Sequence, residues 1–185
     1  MDIVELSAWL HDAAKEGFND FELALGEHGE CASLLGGALE EHVYPLGFHG
    51  SSSWIVLWRR EPSTPWSEAA MVWIDSEGSP WQAFALSPRE GLAMLALDTG
   101  AVYDALAAAV RAFDDPGLQI DLQAKWGKRT PSALVEAKER HAGQRLHRER
   151  LAQAGIPLPT NAFASALEAL RACGSFSAWL EERNC

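Results

Sequence analysis

Residues 54–97 read WIVLWRREPSTPWSEAAMVWIDSEGSPWQAFALSPREGLAMLAL, and this run decides the fold class. Trp54, Trp58, Trp73 and Trp81 lie in segments rich in Val, Ile and aromatic residues, the composition of strands on a pleated, half-buried surface. The pattern predicts strands over 52–60, 69–74 and 81–86. The last two pair as a hairpin across Asp75-Ser76-Glu77-Gly78-Ser79. Glu61 to Pro65, with two prolines, is a loop in which a ladder would lose donors. Ser87 then reads as an N-cap, with Pro88 at the first helical position and Glu90 three residues after the cap. Leu92, Leu95 and Leu97 supply the apolar contacts of that helix, and Gly100 stops it. The fold class expected is α+β: a single domain with a largely antiparallel sheet and flanking helices.

Upstream, Asp2 and Glu5 have the form of a capping box, and Ile3, Leu6, Leu10, Ala13 and Ala14 recur at helical spacing, predicting a helix over 3–16. Between Phe18 and Gly50 the glycines interrupt the periodicity, leaving a short strand near FELAL, a helix near 31–41 and a strand at HVYPLGF. Downstream, AVYDALAAAVRAF (101–113) is a helix whose apolar face holds Val102, Leu106, Ala109, Val110 and Phe113, ended by Asp114-Asp115-Pro116-Gly117. A further helix opens at Thr130-Pro131 and runs to Gly155, so that the C-terminal portion is helical from about residue 130. Two short helices around Gly174 close the chain.

At 185 residues and 48% apolar composition, the chain has the length of one domain with a substantial core. A formal net charge of −11 argues against a general affinity for phosphate backbones and suits a basic partner. The charge is segregated: residues 1–41 carry a net −9 and residues 125–150 a net +5. These segments either face each other within the fold or a homodimer, or address an external partner. Cys31, Cys173 and Cys185 form neither a disulfide framework nor a zinc ribbon, which fits a reducing cytoplasm. The amphipathic, acidic N-terminus is not a secretory signal, and no apolar run reaches the length of a membrane span.

Each grouping that could carry chemistry has a plainer explanation. Gly47-Phe48-His49-Gly50-Ser51-Ser52 has the look of an oxyanion loop, but no G-x-S-x-G nucleophile elbow accompanies it. His28, Cys31, His42 and His49 match no usual zinc spacing, and His141 and His147 do not share a helical face. Asp75 and Glu77 at the hairpin tip could act as acid and base, yet turn preference explains them. The strand tryptophans lack the interleaved cations of a base-stacking sheet. The run Lys138, Arg140, Arg145, Arg148, Arg150 reads as a solvated helix face.

Gly50-Ser51-Ser52-Ser53, Trp58, Val72, Ser76-Glu77-Gly78, Phe84-Ala85, Leu92 and Leu95, with the closing FSAWL at 176–180, together resemble the SUKH superfamily. That family includes a yeast regulator of cell-wall synthesis and bacterial immunity proteins encoded beside toxins. The resemblance implies an α+β fold without a cofactor, a metal or catalytic residues, acting by binding a protein partner such as a basic toxin domain. Neither membrane association nor direct nucleic-acid binding is expected, and the oligomeric state stays open. Partner contacts would fall on exposed acidic and aromatic residues near the loop and hairpin tip: Trp66, Glu68, Asp75 and Glu77. The alternatives are a regulatory or scaffold domain in a cellular assembly and a small hydrolase using His49, Ser51 and Ser52.

Overall fold

A computed structural model describes residues 1–15, 21–35, 40–49, 53–75, 81–140 and 142–184. In chain order it holds α1 (Ile3–Lys15), β1 (Phe21–Leu23), α2 (His28–Leu35), β2 (Val43–His49), β3 (Ser53–Trp58), a 3-10 turn (Trp66–Glu68), β4 (Ala70–Ile74) and β5 (Trp81–Ala85). Helices follow: α3 (Pro88–Met94), α4 (Thr99–Ala112), α5 (Pro116–Arg140), α6 (Ala142–Gln153), α7 (Ala162–Cys173) and α8 (Phe176–Asn184). The fold is α+β. Among the described residues, five strands form an antiparallel meander in the order β1-β2-β3-β4-β5.

The predicted hairpin is present as β4 paired with β5, from Ile74 opposite Trp81 to Met71 opposite Ala85. Its turn, with Glu77, lies outside the described residues. Two register shifts insert Leu46 into β2 and Phe84 into β5. Each extra residue is fully buried in the main core, so each bulge re-aims one large side chain inward.

In β3 and β4 alternation with period two is strict, and every residue of both strands is buried. Ile55, Leu57, Met71 and Trp73 join the main core with α1 and α3–α7, while Trp54, Val56, Trp58, Val72 and Ile74 join a second core with α2 and α8. The half-buried surface expected of these strands is therefore buried on both faces, because the chain's last helix returns to cover the second one. There Trp58 meets Phe176 and Trp179 edge-on, with ring centroids 5.1 and 5.4 Å away. Such rings each remove about 150–250 Å² from water, which anchors an otherwise weakly amphipathic helix.

Caps explain most helix starts. Asp2 and Glu5 bond each other's backbone N–H (Glu5 N to Asp2 Oδ1 2.8 Å, Asp2 N to Glu5 Oε2 3.1 Å). Ser87 Oγ accepts from Glu90 N at 3.3 Å, while the Glu90 carboxylate reaches back to Leu86 N. Two expected boundaries are corrected. Gly100 does not stop a helix: α3 ends at Met94, and Asp98 caps a new helix by accepting from Ala101 N at 2.7 Å, placing Gly100 in its first turn. Thr130-Pro131 does not start one either, because both lie inside α5.

The buried face of α4 also differs from expectation. Val102, Ala105, Leu106, Ala109 and Ala112 are buried, whereas Val110 and Phe113 are 37% and 41% exposed. Ala105, Ala109 and Ala112 share the main core with Ala162 and Ala166 of α7, the helix packed against α4, so that small residues line both helices there.

Candidate protein-binding site

At the end of the sheet where β2 begins, β3 ends and β4 begins, the side chain of Arg59 ties three segments together. Its Nε donates to Glu41 O at 2.7 Å, its Nη1 donates to Thr64 O at 2.9 Å, and its guanidinium lies 4.1 Å from the centre of the Trp66 ring. The prolines that interrupt the ladder after β3 allow this loop to fold over the arginine. Tyr44 packs against Trp66 at 5.9 Å between ring centroids, and His28 meets Tyr44 edge-on at 6.2 Å. Gly26, at φ +69°, would place a Cβ only 3.4 Å from the Tyr44 ring, so a glycine both adopts the turn and admits the tyrosine.

Tyr44 and Trp66 are half-buried, and Glu27, Glu41, Glu61 and Glu68 are exposed. The result is an aromatic pair held by Arg59, with exposed carboxylates in the segments that flank it. Aromatic and arginine side chains that are already ordered lose little freedom on binding, and exposed carboxylates steer a cationic partner.

The structure brings two of the expected contact residues, Trp66 and Glu68, into this patch and sets a third apart. Asp75 lies past the far end of β4, seven residues from Glu68, a separation of about 20 Å for extended chain. It is also buried rather than exposed, with 8% of its surface accessible. Ser53 Oγ donates to Asp75 Oδ1 at 3.4 Å, and the Asp75 carbonyl accepts from Trp81 Nε1 at 2.6 Å. Its carboxylate serves the end of the hairpin instead of a free tip. Glu77, like Ser51 and Ser52 of the considered hydrolase, lies outside the described residues.

The remaining groupings disperse. His28 faces Tyr44, and His42 pairs a ring nitrogen with Arg59 O at 3.1 Å and packs on Trp179. Cys31 is buried in the second core, and burial pushes its thiol up to about 12. Among the described residues no three His, Cys, Asp or Glu side chains are placed to hold a metal ion. No single described helix is long and apolar enough to cross a membrane.

Tyr44 and Arg59 were not singled out by sequence reading. The one available signal was an Arg-Arg pair directly after an apolar strand and before a proline loop, which does not reveal that the first arginine folds back over Trp66. No family model, curated protein or solved structure matches the chain.

Proposed function

We propose that the chain is a non-enzymatic protein-binding domain of SUKH type, an immunity protein that neutralises a cognate bacterial toxin in the cytoplasm by direct binding. The observation that carries this reading is the Tyr44–Trp66 pair held by Arg59, with Glu27, Glu41, Glu61 and Glu68 exposed in the flanking segments. Support also comes from the α+β fold built on an antiparallel sheet, the fold class implied by the family resemblance. The net charge of −11 suits a basic nuclease or deaminase surface, because complementary fields raise association rates and favour the right partner.

The test is binding to, and protection of cells from, the product of the neighbouring toxin gene. Trp66→Ala is expected to weaken the complex by about 2 kcal/mol or more, as a central aromatic contact does. Glu41→Lys with Glu68→Lys is expected to slow association and flatten its salt dependence. A neighbouring product that neither binds nor is neutralised would overturn the toxin assignment. Binding that is indifferent to all three substitutions would move the contact off this patch.

A further inference from the structure

The groove between α4 and α5 gathers positive charge on a strongly acidic chain. Arg111 from α4 and Lys125 and Arg129 from α5 converge on a concavity of about 240 Å³, with the buried Leu122 and Trp126 also lining it and Asp104 at its margin. Lys125 and Arg129 are four residues apart and share one helical face. Arg129 is held in place: its Nη2 bonds Asp104 Oδ2 at 2.5 Å, and its guanidinium lies 4.4 Å from the centre of the Trp126 ring. Neither Arg111 nor Lys125 forms an ion pair with a described residue. Asp104, already paired with Arg129, is the one carboxylate among the described lining residues, so Arg111 and Lys125 face a concave site, where field lines concentrate, without an ion-pair partner there.

We propose that this groove binds a phosphate monoester, with Arg111 and Lys125 as direct ligands and Arg129 as a prepositioned third donor. A monoester carries about −1.5 to −2 charge at neutral pH, which suits the two lining cations that have no ion-pair partner. Arginine offers its planar fork and lysine a mobile point charge, two complementary ways of holding phosphate oxygens. The cavity is smaller than the roughly 300–1,000 Å³ of sites that enclose a drug-sized ligand, so it suits a phosphate group with a short organic tail. Trp126 is 2% exposed and already covered by Arg129, leaving no ring face for a nucleobase. The ligand class is therefore a small phosphorylated metabolite and not a nucleic acid.

NMR titration of the full chain with glycerol phosphate and with inorganic phosphate, at constant ionic strength maintained with chloride, tests the assignment. Saturable one-site shifts are expected on α4 and α5. Affinity should fall about tenfold or more in Arg111→Gln and in Lys125→Gln, each of which removes a charge-assisted contact, and should be unchanged in Lys138→Gln, outside the groove. Binding of glycerol phosphate should weaken as the pH falls through its second ionisation near about 6. Tighter binding of glycerol phosphate than of inorganic phosphate identifies an esterified ligand, and equal affinity identifies the phosphate group as the whole determinant. Shifts that never saturate, that chloride reproduces at equal ionic strength, or that survive both groove substitutions overturn the site.

Discussion

His147 has no exposed surface and stands between α1 and α3. Trp9 Nε1 can only donate, so His147 Nδ1 accepts its bond at 2.9 Å, and the proton on Nε2 is given to Leu92 O at 2.7 Å. Burial pulls the imidazole down to about 4 from its ordinary 6.5, with Arg148 and Arg150 adding to the effect and the Leu92 bond opposing it. The unfolded chain then takes up the proton first. Stability is full above pH 6.5 and is lost as the pH falls from there toward about 4, by about 3 kcal/mol at 1.36 kcal/mol per unit. Denaturant unfolding across that window should show the loss in the wild type and a much flatter profile in His147→Gln, which can keep both bonds without titrating. Equal slopes for the two proteins would remove His147 as the source. A second residue-scale constraint is Gly91, where an added Cβ would lie 1.7 Å from Met71 Sδ in the closed core between α3 and β4. Gly91→Ala should destabilise by about 1–3 kcal/mol through overpacking. Combining it with Met71→Val should recover part of that loss; strictly additive effects would show that the two residues do not compete for space.

The corner between α3 and α4 bends by 111° and leaves carbonyls at the end of α3 and in the link that follows it without helical partners. One face of α6 supplies them. Gln144 Nε2 donates to Leu95 O and Leu97 O at 3.1 Å each, Arg148 Nη2 donates to Ala96 O at 3.1 Å and also reaches Leu134 O, and His147 serves Leu92 O. Arg148 and Arg150 were expected on a solvated face. Arg148 is instead a corner clamp, its ionisation lowered by burial, and Arg150 is committed to α1. A comparable stitch joins α5 to α7. Thr130 Oγ1, fully buried, accepts from Ala162 N at 3.0 Å, while Asn161 caps α7 through Ala164 N at 3.1 Å and donates its Nδ2 to Gln123 O at 2.8 Å. Thr130→Val preserves the shape but orphans a buried N–H, so thermal or urea unfolding should report a loss of about 1–3 kcal/mol. A loss no larger than that of an exposed substitution would mean that the Ala162 N–H finds another acceptor. The Thr-Pro pair resembled a helix start because that is the commonest place for it. Nothing within four residues shows that the threonine caps a different helix 32 residues away.

At the scale of the whole molecule, an ion pair between α6 and α1 ties the basic later segment to the acidic N-terminal one. Arg150 Nη2 pairs with Asp12 Oδ2 at 2.8 Å and holds that carboxyl below its ordinary 3.8, while Arg150 Nη1 donates to Trp9 O at 3.4 Å. The main core contains buried residues from Leu6 to Leu170, drawn from α1, the sheet and α3–α7. Shared burial on that scale predicts one cooperative transition, with tryptophan fluorescence and far-ultraviolet dichroism superimposing during denaturant unfolding. Separate midpoints would instead divide the helical portion from the sheet. By itself the sequence determined the α+β class, the β4–β5 hairpin, the capping box of α1 and the cap of α3. Each of these rests on dihedral preference, capping or alternation among neighbours in the chain. Tertiary structure alone decided that both faces of β3 and β4 are buried, that Asp75 is enclosed, that Arg59 locks Trp66, and that the histidine and arginine of α6 are structural. Those outcomes depend on partners brought together from 7 to 138 residues away, as for Arg59 with Trp66 and Trp9 with His147, and local periodicity carries no information about which distant surface will exclude water.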